Sequence, residues 1–226
     1  MLKIGHRGAS AYATENTLAA FRKAMEMGAD GVELDVHVCK SGELVVFHGY
    51  GMDRRTPDKN LVRDLTLSEL RAFSLPGGER IPTLSEVLEA LGPDAWYFVE
   101  IKHASAALPV ADVLRHYARK GWRNEKLCLH TAYYREIVPP LEAFPSLAIA
   151  ASFIKLTNSS AQEAKALGVR FIVANYQTFG KEHIEQAHAL GLKIIAWTAY
   201  KDDPGDIGKL RALGVDGIIS NYPDRL

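Results

Sequence analysis

Apolar positions along this chain fall into two rhythms. Short runs rich in Val, Ile and Leu occupy residues 2–6, 31–38, 96–102, 126–131, 147–153, 171–175, 193–198 and 217–220. Between them, at 16–27, 67–74, 83–91, 108–120, 133–143, 159–167, 181–190 and 205–213, lie helical patterns. "SAQEAKAL" and "KEHIEQAHAL" keep their apolar residues at helical spacing. A repeated phrase marks the joints: "GADGVELD" (28–35), "GVRFIVAN" (168–175), "GLKIIAWT" (191–198) and "GVDGIISN" (214–221) each follow an amphipathic segment. Glycine just past a helix suits the left-handed residue of a C-cap, and the apolar run after it suits a strand buried on both faces. A further run, "ELVVFH" (43–48), lies across the turn "KSG" from the second strand and is expected to extend it or pair with it.

Eight strands alternating with helices predict an α/β fold, a (β/α)₈ barrel formed as a single domain over residues 1–226. The chain stops at "NYPDRL" directly after the eighth strand, so the last helix is expected to be absent or reduced to a turn. An open doubly wound sheet is the competing architecture. It would normally carry a glycine-rich phosphate loop after its first strand, and neither GxGxxG nor GxxxxGK[ST] is present.

Composition narrows the function classes. With 27 basic and 27 acidic residues among 226, no global field favours nucleic acid or an anionic membrane, so any phosphate binding has to be local. Cys39 and Cys128 are too few for a disulfide framework and sit in strand-like runs, the usual place of buried reduced thiols. No segment approaches the ~20 apolar residues of a membrane span, and "MLKIGHRG" has no leader pattern. A soluble, cytoplasmic protein without stable membrane association is expected, acting on a small molecule; its oligomeric state is left open.

A barrel places its active residues at the C-terminal ends of the strands. Those positions hold His6 and Arg7, Glu33 and Asp35, His48, Glu100 and Lys102, then His130 with Thr131, Asn175, Trp197, and Ser220 with Asn221. Glu33 and Asp35 are two apart, so they share one face of a strand, where two carboxylates are costly to bury unpaired. Together with Glu100 they supply three hard oxygen donors, the set that selects a divalent cation such as Mg²⁺ or Ca²⁺. The alternative is a metal-free network neutralised by Arg7 and Lys102, but three carboxylates against two cations leave a buried negative excess. His37 shares the face but lies nearer the turn, where hydrogen-bonded or solvated histidines are common. Arg7 offers a planar fork and Lys102 a point charge to an anion. His103, His116, His183 and His188 fall in helices or loops and read as surface or packing residues, while His130 is a candidate to touch substrate. Glu15 and Asn16 sit where the first loop enters a helix; Asn16 or Thr17 serves as N-cap or supports the site from behind. Trp197 is placed to wall a pocket.

Five motifs in order then resemble the glycerophosphodiester phosphodiesterase family: "GHRGAS" (5–10) with "ENTLAAF" (15–21), "GADGVELDVHVCKSGELVVFH" (28–48), "VEIK" (99–102), "AWT" (196–198) and "GVDGIISNYPD" (214–224). The resemblance implies cleavage of glycerophosphodiesters to sn-glycerol 3-phosphate and an alcohol. It implies His6 and His48 as the acid–base pair, without deciding which is which, and one divalent cation at Glu33, Asp35 and Glu100. Substrate is expected to meet Arg7, Glu100, Lys102 and Trp197, with Glu15 and Asn16 behind them. The chain departs from the family pattern at Thr14 (Pro in the family), at Gly49 (Asp) and at Tyr200, where "WTAY" stands against the family's "WTV" followed by Asn. Gly49 is expected to free the backbone and carry Tyr50 toward the pocket. Two other functions stay open: a lysophospholipase-D or sphingomyelinase-D type activity, and non-catalytic binding of phosphodiesters.

Overall fold

The computed structural model describes residues 1–52, 61–135, 146–198 and 204–226. Its centre is a ring of eight parallel strands: β1 (Leu2–His6), β2 (Gly31–Val38), β4 (Trp96–Ile101), β5 (Leu127–Thr131), β6 (Ala148–Phe153), β7 (Phe171–Asn175), β8 (Lys193–Trp197) and β9 (Gly217–Ser220). The ring closes because β1 pairs on one side with β9 and on the other with β2. The short β3 (Leu44–Val46) runs antiparallel on β2, which settles "ELVVFH" as a hairpin partner. Helices α1 (Leu18–Glu26), α2 (Leu67–Arg71), α3 (Leu84–Leu91), α4 (Ala107–Arg119), α5 (Ser160–Ala166), α6 (Lys181–Ala189) and α7 (Pro204–Leu213) lie between the strands in sequence. After β9 only a 3₁₀ turn remains, Pro223–Arg225, as expected for a reduced last helix.

Both faces of each strand are used. Outward residues such as Val32, Leu34 and Val36 pack into the large core shared with the helices, whose inner faces supply Phe21, Val87, Leu88 and Val110. Inward residues, among them Ile4, Phe98, Cys128, Phe171 and Ile195, fill the barrel interior. Each fully buried side chain of this size contributes about 1.5–3 kcal/mol relative to exposure. The glycines opening the repeated phrase, Gly28, Gly168, Gly191 and Gly214, all have φ between 70° and 84°, the left-handed cap that turns each helix back into a strand. The expected helix at 133–143 runs into residues outside those described. Tyr200 and residues 53–56 of "MDRRT" (52–56), a stretch that also fits the loop expected from the family resemblance, lie outside the described residues.

Candidate active site

Alternation along the strands stacks the barrel interior in layers. Two residues beyond the apolar Ile4, Phe98, Cys128, Ala150 and Ile195, on the same inward faces, stand His6, Glu100, His130, Ser152 and Trp197. These polar ends surround a cavity of about 330 Å³ that also meets Arg7, Glu33, His48 and Lys102. Register explains the neighbours: His6 lies opposite Glu33, Asp35 opposite Glu100, and Glu100 opposite His130.

Asp35, fully buried, is held from three sides. Lys102 Nζ lies 2.6 Å from Oδ1 and Arg7 Nε 3.1 Å from Oδ2. Asn16 donates Nδ2–H to Oδ2 at 2.7 Å and accepts the Asp35 amide at 3.3 Å. Burial pushes the Asp35 carboxyl up, but Lys102 and Arg7 outweigh it and hold the group below the usual carboxylate range. Lys102 in turn loses to burial and gains more from Asp35 and Glu100, so its ammonium is held above its ordinary value. Arg7 also bonds Glu15 through Nη1 at 2.8 Å. This arrangement demands an unusual backbone: Arg7 (φ 54°) and Asn16 (φ 58°) are the two non-glycine residues in the left-handed region among those described. Between them Gly8, at φ 82°, packs so closely that a Cβ there would come within 2.5 Å of the Ala20 backbone. Thr17, not Asn16, is the N-cap of α1, accepting the Ala20 amide at 3.2 Å. Asn16 is thereby left to support Asp35.

Glu33 is nearly as buried, at 1% exposure, with weaker compensation. Its Oε2 accepts the Arg7 backbone N–H at 3.1 Å, but Oε1 has no hydrogen-bond partner. Burial, then Asp35 and Glu100, push its carboxyl well above the ordinary value. Donor atoms of Glu33, Glu100 and His130 lie within 4.8 Å of one another, a grouping able to hold a metal ion. The donor chemistry fits a divalent cation: an orphaned carboxylate oxygen needs a positive partner, and the two nearby cations face Asp35. The expected trio was Glu33, Asp35 and Glu100. The geometry brings two of these together with His130, while Asp35 is engaged by Lys102 and can join a cation only by exchanging that partner.

His6 donates Nδ1–H to Asn221 Oδ1 at 2.6 Å, which leaves the Nε2 lone pair on the side of Glu33, 3.9 Å from Oε2. Burial, reinforced by Arg7, lowers its pKa to about 4, so the ring is neutral near pH 7. Trp197 stands edge-on to it with ring centroids 6.0 Å apart. His48 differs from expectation: it does not end a strand but follows β3 by two residues, in an exposed loop at the cavity. Its pKa is lowered, by burial first, with Asp35 opposing and Arg7 and Lys102 adding to the shift. Gly49 is not in the left-handed region, and a Cβ would sit 3.1 Å from Gly51 O and from Phe47 Cε1, tight but not forbidden. Tyr50 does not narrow the cavity; it packs edge-on against His37 and His103, at 5.6 and 5.3 Å between centroids. Two functional positions carried no role in the sequence reading: Asn221, which orients His6, and Ser152, which lies 2.6 Å from His130 Nε2.

Comparison with known proteins identifies the family and the fold. Residues 6–225 match the model of the glycerophosphoryl diester phosphodiesterase family. A glycerophosphodiester phosphodiesterase of Caldanaerobacter subterraneus subsp. tengcongensis is 33% identical, over 100% of this chain and 96% of that protein. The crystal structure of the Thermotoga maritima glycerophosphodiester phosphodiesterase superposes with a TM-score of 0.77 at 29% identity, covering 99% of this chain and 96% of that one. An Oleispira antarctica phosphodiesterase, solved in complex with the product sn-glycerol-3-phosphate, shares the fold, with a TM-score of 0.85 over 98% and 93% of the two chains at 24% identity. Motif order, barrel and cavity chemistry thus converge, and the chain belongs to the glycerophosphoryl diester phosphodiesterase family.

Proposed function

We propose that this protein hydrolyses glycerophosphodiesters to sn-glycerol 3-phosphate and an alcohol, through one barrel domain spanning residues 1–226. The observation that carries the reading is a single cavity that gathers two histidines, a fixed Arg–Lys pair and an under-neutralised carboxylate cluster. The Oleispira neighbour's product complex supports the same product here.

The residues divide the work as follows. Arg7 and Lys102 draw the phosphodiester anion to the strand ends, and Trp197 packs against its glycerol carbons. His6, neutral and with Nε2 free, takes the proton of the attacking hydroxyl, whether water or the neighbouring glycerol hydroxyl. A new P–O bond forms, the bond to the departing alcohol breaks, and His48 supplies the proton that the alkoxide needs. Where the glycerol hydroxyl attacks, water then opens the resulting cyclic phosphate to give sn-glycerol 3-phosphate. Glu33 and Glu100, with Asp35 once it exchanges Lys102 for the ion, would hold one divalent cation, Mg²⁺ or Ca²⁺ by their oxygen chemistry. When bound, such a cation withdraws charge from the phosphoryl oxygens. Asn221 fixes the His6 tautomer; Asn16 and Glu15 fix Asp35 and Arg7. Two buried, unpaired cysteines suit a reducing compartment, and we place the enzyme in the cytoplasm.

One observation favours a second reading. Phe153, Val173, Ala174 and Ile219 give the cavity an apolar wall, and Ile154 at its edge is 94% exposed. A lysolipid tail would suit that wall, and choline would then be the leaving group. Turnover of glycerophosphocholine and of lysophosphatidylcholine, each with and without chelator, separates the readings. Chelator-sensitive release of glycerol 3-phosphate supports the first. Choline released from lysolipid alone supports the second, and tight binding with no turnover of either refutes both.

A further inference from the structure

The structure assigns His130 as a nitrogen ligand of the divalent cation, giving this barrel a mixed oxygen–nitrogen centre that takes Co²⁺ or Zn²⁺ in preference to Ca²⁺. The inference rests on the metal-dependent reading above and extends its ligand set.

His130 is 4% exposed and sits on β5 directly opposite Glu100 of β4, so backbone register, not a mobile loop, fixes the pair. Its Nε2 lies 2.6 Å from Ser152 Oγ on the adjoining β6. The other nitrogen, Nδ1, is buried, faces the carboxylates and has no hydrogen-bond partner. Glu100 Oε2 is 4.0 Å away, too far to accept a hydrogen bond from it. An Nδ1–H in this place would therefore be a buried orphan donor. With Nε2–H donated to Ser152 instead, Nδ1 turns a lone pair toward Glu100 and Glu33, an arrangement that calls for a cation between them. A ring nitrogen hydrogen-bonded behind while its partner faces a metal is the usual construction of a histidine ligand. Glu33 Oε1, another buried atom without a hydrogen-bond partner, belongs to the residue that completes the grouping within 4.8 Å.

Imidazole discriminates among metals where carboxylate does not. It suits Zn²⁺ and its neighbours, whereas Ca²⁺ prefers oxygen alone. Removing the nitrogen should thus weaken Co²⁺ far more than Ca²⁺.

Co²⁺ is the probe, because its unpaired electrons shift the proton resonances of a coordinated imidazole far outside the ordinary range. The Co²⁺-loaded protein should show a far-shifted, solvent-exchangeable N–H resonance, the Nε2–H of His130. That resonance should vanish in His130→Gln and persist in His6→Asn and in His48→Asn, which remove the other two imidazole rings lining the cavity. By calorimetry, His130→Gln should lower the Co²⁺-to-Ca²⁺ affinity ratio at least about tenfold. Ser152→Ala, which leaves the ring in place and removes its partner, should weaken Co²⁺ by on the order of 10-fold. Stoichiometric Co²⁺ with no shifted N–H resonance in the wild type, or an unchanged affinity ratio in His130→Gln, overturns the assignment and leaves the carboxylate-held metal standing. No saturable binding of either ion removes the metal itself, and this inference with it.

Discussion

At the scale of single residues, the site is built on strain that its own contacts hold in place. Asn16 adopts φ 58° while exchanging two hydrogen bonds with Asp35. Alanine there loses a bond to a buried charge, about 1.5–3 kcal/mol, and meets a left-handed penalty of about 1–2 kcal/mol. We expect Asn16→Ala to cost roughly 3–4 kcal/mol of stability in urea denaturation, and Asn16→Gly measurably less, since glycine escapes the backbone part. Equal losses for both variants would show that the left-handed backbone carries no cost. The histidines give a second prediction. Replacing His6 should slow glycerophosphocholine and a p-nitrophenyl phosphodiester alike, by ~10²–10⁴-fold. Replacing His48 should spare the p-nitrophenyl substrate, whose leaving group needs no proton; a matching loss on both substrates would reverse or abolish the assignment. The carboxylates were legible in the sequence because a two-residue period on an apolar strand makes Glu33 and Asp35 conspicuous. Asn221 and Ser152 were not, since a small polar residue at a strand end looks the same whether it faces solvent or orients a ring.

At the scale of elements, local chemistry fixes the boundaries that periodicity left loose. The helix expected at 67–74 stops at Arg71 ahead of a turn at Pro76–Gly78, and the strand expected to reach His48 ends at Val46. That early stop is why His48 arrives at the cavity on a loop, while His6 arrives on a strand. Other boundaries are written in caps. Thr83 and Glu86 form a reciprocal capping box at the start of α3, with the Thr83 amide donating to Glu86 Oε2 at 2.8 Å. Thr83→Ala should destabilise the protein by about 1 kcal/mol. Glu86 also pairs with Arg71 Nη2 at 2.6 Å, tying α3 to α2. Burial is the largest single effect and raises its pKa, but the Thr83 amide and hydroxyl and Arg71 together outweigh it, so the folded value lies below the ordinary one. Stability from a depressed carboxylate is fully present above the unfolded pKa of about 4.3 and fades as pH falls through the folded value. Wild type should therefore exceed Glu86→Gln in stability at pH 7, with the gap closing below about pH 4; a pH-independent gap would assign the effect to packing.

At the scale of the whole molecule, the barrel converts distant sequence positions into one electrostatic problem. The αβ repeat made the fold legible, because eight strands alternating with helices predict a parallel sheet, and the missing glycine-rich phosphate loop favoured a closed barrel over an open sheet. The charge balance inside that ring is a property of register: Asp35 meets Glu100, and Glu100 meets His130, only because β2, β4 and β5 pair as they do. Three carboxylates there face two cations, so in the metal-free barrel the ionised form of Glu33 is disfavoured. Its Oε1 has no hydrogen-bond partner, and burial with Asp35 and Glu100 pushes its carboxyl well above the ordinary value. Buried charge of this kind serves function at the expense of stability. Glutamine is nearly isosteric and can still accept the Arg7 amide. Glu33→Gln should thus melt at or above the wild-type temperature when both are metal-free. The wild type should gain when cation is added at a hundredfold excess over its dissociation constant. Mass action supplies about 2.7 kcal/mol at that point, roughly 5–10 °C for a domain of this length. The variant should lose that gain together with most of its activity, so the two melting curves cross in order as metal is added. A metal-free variant that unfolds well below the wild type, or one that keeps the full cation-dependent shift, would mean that Glu33 is a structural anchor and that the cation sits elsewhere.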